Sequence, residues 1–509
     1  KKAGSYDLSL NFYKRAIGLV GEDHWATHAK FMKSLYVQSI ETAYYCHNVD
    51  FAASIEKKYD LMVSHFFEQL PIVELKLNYF LVTGKFNESI LLGRDTLKKL
   101  GLNFERSIPL QQLKNDYLEL KLVLESEITN KGISNKNSTL TELEQKIVRV
   151  LASQIEPALV LNQSYFCQVV LSATQMVLDV DHPLTGYILA YYALMQAYVF
   201  NDCESVRATS EYALKIQTLH DEPQYLPRAL NVVNAHLRHF WQPISKSLPG
   251  FERSISLAVK SGNVYFAGQG ITFSLFAHFF AGQHLASISE FMAHHLPRLS
   301  LYKLTASRDA VFPWCQIITN LQNTNEVYLN SAHLKHLKGR YFNDRLMFRV
   351  ESSENEFMIF SAYTAKAWYA FCLRDIDSAL SAICKAEKYC YSMHGMVHFH
   401  IFYALAGQIY AAAARRYDHE SDYYISKAQI YLDLLENLAT QCPDNYLHKL
   451  YILKAEIAYF NEEHLAALKY FEKSIRQALN GDFIHDAALA ATDRSSAHHP
   501  NGRRHYEDR

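Results

Sequence analysis

The sequence predicts an all-α protein organised as a superhelical array of stacked helical hairpins, an α-solenoid. Three observations carry this reading. Apolar residues recur at helical spacing along nearly the whole chain. No convincing series of alternating, strand-like segments with hairpin signals interrupts them. Related helix-turn-helix stretches return at fixed offsets, the mark of a repeat architecture.

Composition agrees. The 509 residues are 49% hydrophobic and 20% charged, with only 18 Gly and 12 Pro, a profile of folded, loop-poor structure. Lys and Arg number 51 against 52 Asp and Glu, so overall charge gives no argument for a nucleic-acid or lipid partner. Eight cysteines are scattered through apolar helical text and read as buried thiols of a reducing compartment. The richest apolar stretch, "VYFAGQGITFSLFAHFFAG", is broken by Gln269, Thr272 and His278, which argues against membrane insertion. A soluble, cytoplasmic protein is expected.

The opening text, "KKAGSYDLSLNFYKRAI", has no initiator Met and no signal-peptide core, and reads as part of something longer. Two N-terminal stretches, "YYCHNVDFAASIEK" and "FLVTGKFNESILLG", align at an offset of 35, with Phe51 on Phe86, Ser54 on Ser89 and Ile55 on Ile90. Residues 1–128 are expected to form an N-terminal helical-repeat subdomain. The polar text "TNKGISNKNSTLTELEQ" then predicts a surface loop at 129–139, with Thr139 and Glu142 as a capping box.

Residues 140–491 are expected to form the C-terminal array. One hairpin turns near Asn201 and Asp202, and another at Gly282. Near the end the same unit is written twice: "YTAKAWYAFCLRDIDSALSAICKAEKY" superposes without a gap on "YILKAEIAYFNEEHLAALKYFEKSI". The match sets Tyr363 on Tyr451, Ala367 on Ala455, Ala370 on Ala458, Ala379 on Ala467, Ile383 on Phe471 and Ala386 on Ser474. Small residues let paired helices approach, and a bulky residue one turn on fills the gap between hairpins. This resembles a degenerate tetratricopeptide pattern, and the twelve positions are expected to be structural. Pro443 and Asn445 mark a repeat boundary. Residues 492–509, "TDRSSAHHPNGRRHYEDR", lose apolar periodicity and read as a disordered or non-native tail.

Candidate chemistry is sparse. "VTGKFNES" has Gly84 and Lys85 but neither the upstream Gly nor the hydroxyl of a phosphate-binding loop, so Gly84 reads as a turn. No kinase catalytic loop or nucleophile elbow occurs. Cys390, His394 and His398 fall at i, i+4 and i+8 and offer a zinc-enzyme alternative. However, the outer pair of a regular helix is separated by about 12 Å, and Gly395 interrupts the stretch. His294 and His295 point about 100° apart and read as partly exposed helix-end residues before Pro297. The 34 Tyr and 29 Phe suit packing between hairpins or, when exposed on a concave face, a peptide groove. Catalytic, cofactor and metal residues are therefore left unassigned.

The C-terminal text from "YLDLLENLATQCPDNYLHKLYILKAEIAYF" to "NGDFIHDAALA" resembles the helical segment of large multidomain signalling proteins. These join a serine/threonine-kinase-like domain, an AAA-type ATPase, helical repeats, a GAF sensor and a histidine kinase. Cys442, Pro443, Asn445, His448, Lys449, Ala455, Glu456 and Ala467 carry the likeness. "ETAYYCHNVDFAASI", "LGRDTLKKLGLNF" and "GYILAYYALMQAYVF" extend it weakly upstream. The likeness covers roughly residues 20–490, and Thr492 onward departs from it. It implies a non-catalytic regulatory or scaffold region that binds protein or flanking domains of its own polypeptide. The alternative is a self-standing peptide-binding scaffold. No catalytic motif of the family is present, so none of its catalytic residues is carried over.

Overall fold

A computed structural model describes residues 6–21, 24–105, 107–130, 139–220, 224–322, 337–353, 355–390 and 395–497. Among these the chain forms twenty-four α-helices, with no strand. Two compact units result, Lys1–Tyr192 and Ala193–Arg509.

In the first unit, Ala29–Tyr45 pairs with Val49–Met62, and Phe66–Thr83 with Phe86–Lys99. Their repeat relation differs from the expected one. N-caps Asn48 and Lys85, like C-caps Val63 and Leu100, stand 37 residues apart. Ala52, Glu56 and Tyr59 thus correspond to Ser89, Gly93 and Thr96, all buried. Phe51 is the third residue of its helix whereas Phe86 is the first of its own. Matching the two aromatics therefore slips the buried stripe by two positions.

The polar segment does not separate subdomains. Helix Glu142–Leu161, beyond it, packs on Phe66–Thr83 and Phe86–Lys99, before it. The approach is so close that a Cβ on Gly93 would lie 2.0 Å from the Gln154 side chain. Thr129 and Asn130 still belong to helix Leu110–Asn130, and residues 131–138 lie outside the described residues. The capping box also sits two residues later than expected. Thr141 accepts from the Glu144 N–H, and the Glu144 carboxylate accepts from the Thr141 N–H at 2.8 Å. Leu140 precedes this cap as the apolar neighbour of a helix start.

In the second unit, helices from Leu248–Lys260 to Ile484–Ala497 pack largely on their neighbours in sequence. One turn recurs. A residue with φ between 52° and 73° stands just before the next helix: Asn201, Gly262, Gly282, Lys303, Arg374, Glu462 and Asp482. In most of them an N–H bonds back five residues, as from Asn263 to Ala258 O, Asp375 to Ala370 O and Glu463 to Ala458 O. This is the Schellman closure, which satisfies the last carbonyls of the first helix. Arg374 and Glu462 occupy equivalent places in the two hairpins aligned by sequence, Glu356–Cys372 with Ile376–Glu387 and Pro443–Phe460 with His464–Asn480.

The last helix, Ile484–Ala497, runs beyond Ala491. Its inward positions after Phe483 are Asp486, Ala487, Ala490 and Asp493. Asp486 accepts from Lys449 and pairs with His448, and Asp493 pairs with Arg374. The periodicity is thus carried partly by buried carboxylates, which an apolar pattern search does not register. Residues 498–509 of the expected tail lie outside the described residues. Among the described residues no helix is long and apolar enough to cross a membrane.

Candidate functional site

Helix Leu226–Val232 does not end in an ordinary turn. It passes into a π-turn, Val233–Leu237, and then into the 3₁₀ turns Arg238–Phe240 and Ile244–Ser247. Pro243 keeps the preceding residue out of the α region, and π-turns mark sites where helical bonding has been traded for another contact. Here that contact is with residues about 200 positions later in the same unit.

Asn445 secures it. Its amide donates to His239 O and Gln242 O, each at 2.8 Å, and its Oδ1 accepts from the Ile244 N–H at 2.9 Å. One buried side chain therefore closes three backbone groups of an irregular segment that has no ladder of its own. Next to it, Tyr446 Oη lies 2.8 Å from His239 Nδ1. Tyr198 Oη lies 3.3 Å from His239 Nε2 and 2.8 Å from both His236 O and Gly395 O. His400 completes the knot, its ring centroid 5.9 Å from Tyr198, 4.9 Å from His239 and 6.0 Å from Tyr446.

Beside the knot, helix Val397–Arg416 begins after Gly395, whose φ is 90°. His398, 1% exposed, is enclosed by the rings of Phe276, Phe280, Trp314 and Phe360, with centroids 4.7–5.3 Å away. Neither of its ring nitrogens has a hydrogen-bond partner. It also lines a cavity with Asn234, His239, Ser247, Phe273 and Met396, among others. That cavity offers about 10 Å³ to the centres of water molecules, room for about one.

Burial sets the protonation here. It pushes His236 down to about 4 and both His239 and His398 down to about 3. It also holds the Tyr198 and Tyr446 phenols well above their usual range. At neutral pH the seam therefore consists of neutral hydrogen-bonding groups.

Ten of the twelve repeat positions are buried. Ala367, Ala379, Ala455, Ala467, Ile383, Phe471, Ala386 and Ser474 are at most 1% exposed, and Tyr363 and Ala458 are buried. Ala370 and Tyr451 are half-buried. Ser474 donates to His448 O at 2.7 Å, tying the second helix of its hairpin to the first.

Cys390 and His398 do not share a helix. Cys390 follows the end of Ile376–Glu387, His398 belongs to Val397–Arg416, and Gly395 separates them; His394 lies outside the described residues. Among the described residues no group of three His, Cys, Asp or Glu side chains is placed to hold a metal ion. His294 and His295 are not helix-end residues, because Pro297 lies inside helix Leu285–Leu301. Arg298 reaches both imidazoles, and His295 is only 3% exposed. Gly84, with φ of 73°, is the turn between two helices.

Comparison with protein-family models and with curated proteins finds no match for this chain.

Proposed function

We propose that this chain is a non-catalytic, helical-repeat regulatory or scaffold region of a signal-transduction protein. It is built as a superhelical array of degenerate tetratricopeptide-like hairpins that engages other proteins or flanking domains of the same polypeptide. The observation that supports it most is the repeated unit itself. A left-handed residue and Schellman closure recur between successive helices, with small buried residues such as Ala367 and Ala455 at equivalent helix contacts. In such arrays stability is a sum of neighbour contacts, so a strain at one hairpin can be passed to the next.

The self-standing peptide-binding scaffold is the second reading. It needs an exposed aromatic row on an inner face. In the second unit, helix Val264–Phe280 instead lies on helix Val397–Arg416, and its Phe276 and Phe280 are spent on Trp314 and His398. The aromatics of this helix are thus consumed in packing, which favours domain coupling over peptide capture there.

Sequencing the encoding DNA beyond both ends tests the proposal. An ATPase frame upstream and a sensor-kinase frame downstream support it, and in that protein Ala467→Phe should alter signal-dependent kinase output. Frames that lack catalytic domains on both sides would remove the signalling reading.

A further inference from the structure

We infer that the seam joining the 236–247 segment to helices Val397–Arg416 and Pro443–Phe460 is a proton-operated clasp, closed while His236, His239 and His398 are neutral and opened as they take up protons.

The hydrogen-bond geometry at His239 carries the argument. His236 O and Gly395 O can only accept, so the single hydroxyl hydrogen of Tyr198, whose oxygen lies 2.8 Å from each, is shared between them. The Tyr198 oxygen then accepts from Nε2–H of His239, which leaves Nδ1 as the acceptor for Tyr446 O–H. In this neutral tautomer each imidazole nitrogen has a tyrosine hydroxyl as its partner. A proton added at Nδ1 faces the Tyr446 hydroxyl hydrogen, which must turn away from its acceptor at a residue with no exposed surface. Burying that unpaired hydroxyl and a new charge together is costly.

His398 adds a second cost. A cation among four aromatic rings gains about 1–2 kcal/mol from their faces, less than the several kcal/mol lost when an ion leaves water. No acceptor on a described residue meets either of its nitrogens. His236 meets Phe273 at a T-shaped angle, and its Nδ1 has no partner among the described residues.

Among the described residues the only groups that favour the charged histidines are neutral carbonyls, Gly395 O for His236 and both His236 O and Gly395 O for His239. Tyr198, Tyr403, Tyr446, Cys203, Cys442 and His400 face the knot from the neighbouring elements. Arg238, the nearby cation, is held by Asn234 and Gln242 and feels Glu211, and Asp444 acts on Cys442. No carboxylate contributes to the shifts of the three histidines.

The direction follows. These folded-state values, about 4, 3 and 3, lie below that of a free imidazole, near 6.5. Closure is therefore complete above about pH 6.5 and weakens as pH falls toward 4. Each proton taken up on opening contributes about tenfold per pH unit to the opening constant, so three contribute up to about a thousandfold.

Cys442 is the reporter, being 3% exposed and 3.4 Å from the Asn445 amide. The whole chain is treated with 4,4′-dithiodipyridine, a thiol reagent active in acid, from pH 7.5 to 4.5. Labelling at Cys442 is mapped by mass spectrometry, and helical content is followed by circular dichroism. The expected result is protection at pH 7.5 and a steep rise in labelling below about pH 6, before helical signal is lost. His239→Gln and His398→Leu should each lower the steepness by about one proton. If His239→Gln does not fold, His398→Leu alone decides that point. Labelling that is flat with pH, that rises only together with loss of helix, or that keeps its steepness in the folded variants overturns the clasp.

Discussion

Replacing Asn445 with Ala should open the seam at neutral pH, without any proton. The substitution strands His239 O, Gln242 O and the Ile244 N–H, bonded at 2.8, 2.8 and 2.9 Å. His239 and Ile244 are 1% and 2% exposed, and Gln242 is half-buried. An unsatisfied buried backbone group costs about 1–3 kcal/mol, and a half-buried one that water can reach about 0.5–1.5. The expected loss is therefore about 2.5–7.5 kcal/mol, a large part of the stability of an ordinary domain. Asn445→Asp keeps the volume but turns an oxygen toward the two carbonyls, and should cost at least as much. Native-state hydrogen exchange at Ile244 is the appropriate assay, because a chain of two units need not unfold in one step. Protection at Ile244 should fall by two or more powers of ten. A fall below tenfold, about 1.4 kcal/mol, would mean that other contacts hold the seam and would refute this account of Asn445.

Four further substitutions probe separate parts of the design. His398→Leu removes an imidazole whose nitrogens have no partners and should stabilise the protein by about 1–2 kcal/mol at pH 7, with a larger gain at pH 5; a lower denaturation midpoint at both would contradict this. Ala467→Phe should overpack the hairpin contact at a residue with no exposed surface and destabilise by about 1–3 kcal/mol, and an unchanged melting curve would contradict the repeat register. Glu462→Gly should be neutral or stabilising by up to about 1 kcal/mol, because φ of 64° is strained for a side chain. Gly282→Ala should destabilise, since its Cβ would lie 2.7 Å from His485 Nδ1 at φ of 68°; equal melting shifts for these last two would refute the turn analysis.

Helices and their turns were legible because the signals are local. Gly84, Gly282 and Asn201 announce left-handed turns, and Ala455 and Ala467 announce close helix contacts. Aromatics are poor register marks, since Phe51 and Phe86 sit two positions apart on their helices, and of the two neighbouring threonines it is Thr141, not Thr139, that caps the helix. The apolar pattern ends at Thr492 although the last helix does not, because Asp486 and Asp493 carry its inward face. The seam was not legible at all. Asn445 looks like a turn residue in "QCPDNY" yet points into the interior from the first turn of its helix. Tyr198, His239 and Tyr446 are single letters far apart in sequence, and only folding brings them together. A polar residue at a buried helix position was the available signal.

That difference between local and distant signals also bears on what the array does. An open row of hairpins yields gradually, because each hairpin answers only to its neighbours. Asn445 and Tyr198 bond the 236–247 segment to residues about 200 positions later, so the hairpins between them cannot change pitch independently while those bonds last. On the proposed array reading, the intervening hairpins would have two arrangements separated by a discrete cost, about that calculated for Asn445, instead of a continuum of curvatures. A two-state element is what a coupling region requires if a signal at one end is to be read as a definite change at the other. Regulation through this chain should accordingly be sensitive to substitutions at the seam, and nearly indifferent to single changes at an exposed turn such as Glu462.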